Sequence, residues 1–263
     1  MSHTLRTQLR NDAPLIASFV ETPHRAVAQV MGAIGYDVLI PDGEHAAFSP
    51  RDIEELIVGA DLAGVPSLVR VPSTAPSTIG HVLDSGAAGV LVPLVNTAEA
   101  AHTAAQLSRY PPQGRRGAGP GRATLYGLQR EQAIANAREE TVVAIQIETG
   151  TAVENLDAIL QVEGVDLVFV GPNDLSHSLG RPPDEELRAV IDDVLRRARQ
   201  AGRMTGILAS TAALATRYRE AGCELLVTGT DLGALAAGAR TFVEGARGES
   251  AVRTGQVPRS TDY

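Results

Sequence analysis

The sequence predicts a (β/α)8 barrel (TIM barrel), and three observations predict it. Eight short apolar runs alternate with longer amphipathic stretches along almost all of the 263 residues. The runs are near-continuous in apolar residues, as strands buried on both faces of a parallel sheet are, whereas strands with one wet face alternate. Glycines stand where the intervening helices should stop, at Gly64, Gly86, Gly164, Gly202 and Gly222, and a left-handed glycine is a common helix ending. Eight such units in one chain of this length match the barrel. A doubly wound open sheet is the alternative arrangement of the same units.

The first strand is expected over residues 15–20, with a helix over 23–34 behind it. The second strand, 38–40, leads to a helix opening at Ser49-Pro50. Ser49 suits the N-cap, Pro50 the first helical position, and Asp52 and Glu54 favour the early turns. Residues 67–71, 89–95, 142–147, 167–170, 204–208 and 225–227 supply the other six strands. The longest irregular stretch, 109–126, lies between the fourth strand's helix and the fifth strand. Its Gly117-Ala118-Gly119-Pro120-Gly121 run resembles a phosphate loop, but it follows no strand directly. Arg122 also fills the last glycine position and Pro120 lacks an amide donor, so a dinucleotide site is rejected.

Composition narrows the function. The chain reads as one domain, 1–263, with a polar tail from about residue 245 that is expected to be mobile. A net charge of −8 and 3% aromatic residues argue against a nucleic-acid partner. No apolar run is long enough for a bilayer and residues 1–11 lack a signal peptide's apolar centre, so a cytoplasmic protein without a membrane partner is expected. The single cysteine, Cys223, sits in an apolar run and reads as a buried, inert thiol. There is no lysine at all, which rules out catalysis through a lysine Schiff base.

In a barrel the chemistry gathers at the C-terminal strand ends. Those ends carry Asp42-Gly43-Glu44-His45, Arg70, Gln146-Ile147-Glu148 and Gly171-Pro172-Asn173-Asp174. Glu148 and Asp174 are metal candidates, because two carboxylates completed by water and a chelating substrate suit Mg²⁺ or Mn²⁺. The plainer alternative is that each caps the next helix. His45 has the chemistry of a general base. Arg70 can steady an enolate or carboxylate with its planar fork, or pair with Asp42 or Glu44. The amides of Asn173 and Asp174 could meet a substrate carboxylate. The remaining histidines, His3, His24, His81, His102 and His177, read as solvated or structural.

These motifs, together with Arg109-Tyr110-Pro111-Pro112-Gln113-Gly114-Arg115-Arg116-Gly117, resemble the HpcH/HpaI aldolase family in the same order and spacing, over about residues 15–244. The resemblance implies a hexameric (β/α)8 barrel, a trimer of dimers with the last helix exchanged between paired subunits. It implies that Glu148 and Asp174 hold a divalent cation (Mg²⁺, Mn²⁺ or Co²⁺), and that Glu44 bonds to its water. It further implies that Arg70 stabilises a pyruvate enolate and that His45 is the base. Asp84 matches an aspartate that comes from a neighbouring subunit and pairs with the histidine; by itself it reads as an ordinary helix-surface acid. Gln146, Gly171, Asn173 and Asp174 would contact the 2-oxo acid, with Asp42 supporting them. Arg122 and Tyr126 would lie where the aldehyde is selected. Pro41 departs from the pattern and is expected to end the second strand early or to shift Asp42.

The function expected is that of a class II aldolase making or cleaving 4-hydroxy-2-oxo acids through a 2-oxo acid enolate and an aldehyde. The alternatives are a β-hydroxyacyl-CoA lyase, another enolate-based carbon–carbon bond-forming enzyme, and a non-catalytic ligand-binding barrel.

Overall fold

The computed structural model describes residues 4–11 and 14–248. Its eight strands are β1 (Leu15–Val20), β2 (Val38–Pro41), β3 (Leu68–Arg70), β4 (Gly89–Val92), β5 (Val142–Ile147), β6 (Leu167–Val170), β7 (Met204–Leu208) and β8 (Leu225–Thr230). A short helix, α1 (Leu5–Asn11), precedes β1. The first four strands are followed by α2 (Arg25–Ile34), α3 (Pro50–Leu62), α4 (Pro76–Asp84) and α5 (Ala98–Ser108). Next come α6 (Arg130–Glu140) before β5, then α7 (Gly150–Glu154) and α8 (Leu156–Leu160). The chain closes with α9 (Pro172–Ser178), α10 (Asp184–Gln200), α11 (Ala212–Glu220) and α12 (Asp231–Ala246). Residues 245–246 of the polar segment therefore belong to a helix, and 249–263 lie outside the described residues.

All pairings are parallel, in the order β2-β1-β8-β7-β6-β5-β4-β3, and two isolated bridges, Leu39 to Ser67 and Asp42 to Arg70, bring β2 against β3. The result is a nearly closed barrel, as expected. Pro41 explains why this seam is bridged rather than laddered. Leu39 donates to Pro66 O and Gly43 to Arg70 O, so position 41 should supply the bond between them, and proline has no N–H. The strand nonetheless runs through Pro41, and Asp42 keeps its place by donating to Val20 O at 3.0 Å. The expectation of an early end or a shifted Asp42 is therefore corrected.

The five capping glycines all adopt left-handed φ, from 74° to 99°. Ser49 and Asp52 form a reciprocal capping box at the start of α3. Strand β4 stops at Val92 rather than residue 95, because Pro93 follows and Leu94 turns left-handed at φ 54°. The helix expected over 23–34 begins at Arg25, where His24 caps it by accepting the Ala26 N–H at 3.2 Å.

The barrel interior is filled by Leu15, Ala17, Phe19, Ile40, Leu68, Leu91, Leu167, Phe169 and their neighbours. Leu5 and Leu9 of α1 join this cluster, both almost fully buried. At roughly 2 kcal/mol per leucine, they hold α1 across the N-terminal end of the barrel. Asp166 ties the same end together, accepting from Arg6 and, at 2.6 Å, from Arg109. Cys223 is buried, and burial pushes its thiol pKa up. No described helix is long and apolar enough to cross a membrane.

Candidate active site

Alternation along the strands builds the site. Ile40, Leu68 and Ala144 point into the barrel core, so the residues two and four further on occupy the same face. Those residues are Asp42, Arg70, Gln146 and Glu148. A polar layer therefore caps the apolar interior at the C-terminal mouth, and all four side chains are buried.

Arg70 is held on every side. Its Nε and Nη2 donate to Asp42 Oδ1 and Oδ2 at 2.8 and 2.5 Å, Nη1 lies 3.3 Å from Glu44 Oε2, and the guanidinium sits 4.4 Å over the Phe19 ring. Burial works against the Arg70 charge, but Asp42, Glu44 and Glu148 more than restore it. Burial likewise opposes ionisation of Asp42. The Arg70 bonds and charge outweigh it, helped by the N–H groups of His45 and Glu44, and its carboxyl stays below the usual range. Asp42 thus fixes both the Arg70 fork and the turn that presents His45. The salt bridges considered for Arg70 exist, and they orient it.

Glu148 accepts the Leu94 N–H at 2.7 Å and bonds to Gln146 Nε2. Burial raises its pKa, and the charges of Glu44 and Asp174 add to the rise. Glu44 is raised too, mainly by burial. Gly171 is a glycine because a Cβ there would meet Gln146 Nε2 at 2.8 Å and Glu148 Oε2 at 3.0 Å. Two buried oxygens of this group, Glu44 Oε2 and Gln146 Oε1, have no hydrogen-bond partner. Desolvated, mutually repelling carboxylates beside orphaned oxygens fit a hard divalent cation with water. Among the described residues no three His, Cys, Asp or Glu side chains close on one point. Asp174 is exposed in the first turn of α9, where the amides of Asn173 and Asp174 have no intrahelical acceptor. His45 is 61% exposed at its side chain, with Nε2 3.8 Å from Glu44 Oε2.

The structure does not bring Asp84, Arg122 or Tyr126 to this mouth within one chain. Helix α4 starts near the mouth and ends with Asp84, about 12 Å down the outer wall by its rise. Asp84 Oδ1 accepts from the buried Arg116 at 2.7 Å, and Arg116 lies 4.5 Å over the Tyr110 ring. Arg122 pairs with Asp61 and donates to Ser85 O at 3.1 Å. Asp84, Arg122 and Tyr126, the last 67% exposed, line an outer groove of about 430 Å³. The glycine-rich run serves this packing: a Cβ on Gly121 would meet the Asp84 carbonyl oxygen at 2.6 Å.

Sequence reasoning missed three contributors. Glu21, directly after β1, lies within electrostatic reach of Asp42 and Arg70. Asp231 is buried and accepts the N–H groups of Glu21 and Thr22 at 2.8 and 3.1 Å. Leu94 holds Glu148 from a left-handed backbone. An acid after a strand was the available signal for Glu21; a backbone donor such as Leu94 leaves none.

Comparisons with known proteins agree with this architecture. The HpcH/HpaI aldolase/citrate lyase family model matches residues 15–237. The chain is 39% identical over 237 residues to a 2-keto-3-deoxy-L-rhamnonate aldolase of Klebsiella pneumoniae, covering 88% of each. It is 37% identical over 245 residues to a hydroxypyruvate/pyruvate aldolase of Roseovarius nubinhibens, covering 91% of this chain and 95% of that one. A crystal structure of an HpcH/HpaI aldolase/citrate lyase family protein from Burkholderia cenocepacia superposes with a TM-score of 0.86 at 33% identity, over 92% of this chain and 98% of the other. A parallel barrel with this mouth, matched in sequence over nearly its whole length, belongs to the HpcH/HpaI aldolase/citrate lyase family, and the chain is an aldolase, a carbon–carbon lyase.

Proposed function

We propose that the protein is a divalent-cation-dependent class II aldolase that makes or cleaves 4-hydroxy-2-oxo acids, with pyruvate or a similar 2-oxo acid as donor and an aldehyde as acceptor. The observation that supports this most is the buried polar layer at the mouth, in which Asp42 fixes the Arg70 guanidinium, Arg70 lies within electrostatic reach of Glu148, and Glu148 lies within reach of Asp174. The name of the hydroxypyruvate/pyruvate aldolase relative supports the pyruvate half.

Glu148 and Asp174 would hold Mg²⁺, Mn²⁺ or Co²⁺, and the chemistry such an ion supplies is polarisation of the 2-oxo group. Arg70, already fixed by Asp42 and Phe19, stabilises the enolate oxygen at no reorganisation cost. Gln146 and the Gly171–Asp174 turn orient the substrate carboxylate, using the free amides of Asn173 and Asp174. In the cleavage direction His45, directly or through water, accepts the proton of the 4-hydroxyl. The C3–C4 bond breaks, the aldehyde leaves, and the enolate takes a proton to become the 2-oxo acid. Glu44 would bond to water beside the ion.

Asp84 would orient His45 of a neighbouring subunit, and Arg122 and Tyr126 would reach the acceptor the same way. A hexamer built as a trimer of dimers, with α12 exchanged, would supply these contacts. Helix α12 supports it, since Asp231 is its only buried residue while Leu235 and Phe242 are 67% and 82% exposed. Such a face is normally covered by a partner.

Mn²⁺ binding followed by electron paramagnetic resonance tests the reading. One ion per subunit is expected, with affinity at least about 100-fold weaker in Glu148→Gln. Equal affinity in the variant would remove Glu148 as a ligand.

A further inference from the structure

The mouth uses no residue of the run Arg109-Tyr110-Pro111-Pro112-Gln113-Gly114-Arg115-Arg116-Gly117, yet the structure builds that run closely. It folds back onto α5, where the Arg115 N–H donates to Gln106 O and the Arg116 N–H to Arg109 O, both at 2.8 Å. This return delivers the Arg116 side chain beneath the end of α4. There the guanidinium lies 4.5 Å over the buried Tyr110 ring, and Nη2 donates to Asp84 Oδ1 at 2.7 Å. Among the described residues Asp84 is the one carboxylate that Arg116 meets.

The pair is lopsided. The Arg116 side chain is 3% exposed and that of Asp84 is 26% exposed. Taking a guanidinium out of water is costly, whereas a partly exposed ion pair returns little stability. Asp84 is also the last residue of α4, where the helix dipole disfavours an acid. Neither choice serves the stability of α4, whose end is already capped by the Ser85 N–H. Both serve the direction of one carboxylate. Arg116 binds Oδ1 from beneath, and among the described residues Oδ2 accepts no hydrogen bond. The glycine-rich run leaves that oxygen room: a Cβ on Gly119 would stand 3.0 Å from Oδ2, and one on Gly121 would strike the Asp84 carbonyl oxygen. Oδ2 therefore faces the outer groove as a fixed acceptor for a donor that comes from outside this chain.

We propose that Arg116 is a positioning residue of the aldolase: it aims Asp84 so that Oδ2 receives the imidazole N–H of His45 in a neighbouring subunit. This rests on the reading above that Asp84 serves a neighbouring mouth.

The test uses full-length chains with Mg²⁺, pyruvate and glycolaldehyde. Arg116→Met should lower kcat by about tenfold or more, as misaimed catalytic groups do, and change KM for pyruvate by less than about twofold. Arg116→Lys, which keeps the charge and loses the planar fork, should fall between Arg116→Met and wild type, and it carries the comparison if Arg116→Met does not fold. In an Asp84→Asn background Arg116→Met should cost nothing further, because Arg116 acts through that carboxylate alone. Coexpressed His45→Ala and Arg116→Met chains should recover about a quarter of wild-type kcat. Random pairing leaves about one site in four with His45 from one chain and an intact Asp84–Arg116 pair from the other. A kcat within about twofold of wild type in both Arg116 variants overturns the proposal, as does a loss in the Asp84→Asn background as large as in wild type. Coexpressed His45→Ala and Asp84→Asn chains separate the two levels. Recovery in that mixture with either of those results defeats the Arg116 proposal alone, and no recovery defeats the neighbouring-mouth reading and the proposal with it.

Discussion

Replacing Asp42 by asparagine changes one charge and almost no volume, at a residue that is 1% exposed beside an arginine that is 6% exposed. The wild-type carboxylate receives two bonds from Arg70, at 2.8 and 2.5 Å, and two more from the N–H groups of Glu44 and His45, at 3.1 and 3.2 Å. Removing one partner of a buried ion pair costs about 3–5 kcal/mol, because the other charge is left uncompensated. Glu44, 3.3 Å from Nη1, retains part of the compensation, which puts the loss near the low end, about 3 kcal/mol. At roughly 2–4 °C per kcal/mol for a chain of this size, the melting temperature should fall by about 6–12 °C. The Arg70 fork would also lose its fixed direction, so enolate formation should slow by about 100-fold. Calorimetry and pyruvate proton exchange measure the two effects on one sample. A melting temperature within about 2 °C of wild type, with exchange within about twofold, would refute the argument that Asp42 holds Arg70.

Three further predictions follow from the same geometry. The Asp42 carboxyl sits below its ordinary 3.8 in the folded chain, so its contribution is present above that value and lost as pH falls through the depressed one. The stability gap between wild type and Asp42→Asn should therefore be flat from about pH 5 to 8 and close below about pH 4 in pH-dependent melts, whereas a gap that widens toward acid would contradict the depressed value. Gly121→Ala forces a methyl against the Asp84 carbonyl oxygen, 2.6 Å away. It should cost about 1–3 kcal/mol in denaturant unfolding and lower kcat, with Mn²⁺ affinity unchanged. Phe242→Asp places a charge on the exposed face of α12 and should reduce the particle mass measured by light scattering; an unchanged mass would show that this face is not an interface.

Strands were the most legible part of the fold, because burial on both faces leaves an unbroken apolar run. Helix ends were nearly as clear, through Ser49 and the capping glycines. Helix α1 was not legible: Leu5 and Leu9 are its only apolar anchors in a polar segment, and one i,i+4 pair does not distinguish a plug from a tail. Pro41 misled in an instructive way. A missing N–H loosens one seam, yet parallel strands alternate the neighbour to which they donate, so the bond from Asp42 to β1 survives. The strand-end rule found Asp42, Arg70, Gln146 and Glu148, since alternation from core positions puts them on the inner face. It could not assign Asp84, whose side chain lies on the outer wall in its own chain. It also passed over Glu21, where an acid after β1 has no second motif residue beside it, and Leu94, which contributes only an amide.

The central claim is that this mouth makes an enolate from a 2-oxo acid. Incubation of the protein with pyruvate and Mg²⁺ in D₂O, followed by proton NMR, tests it without any choice of aldehyde. The account predicts a cation-dependent loss of the methyl signal that a chelator and Arg70→Ala both abolish. A methyl signal that persists with Mg²⁺, or an exchange indifferent to chelator and to Arg70→Ala, would contradict it.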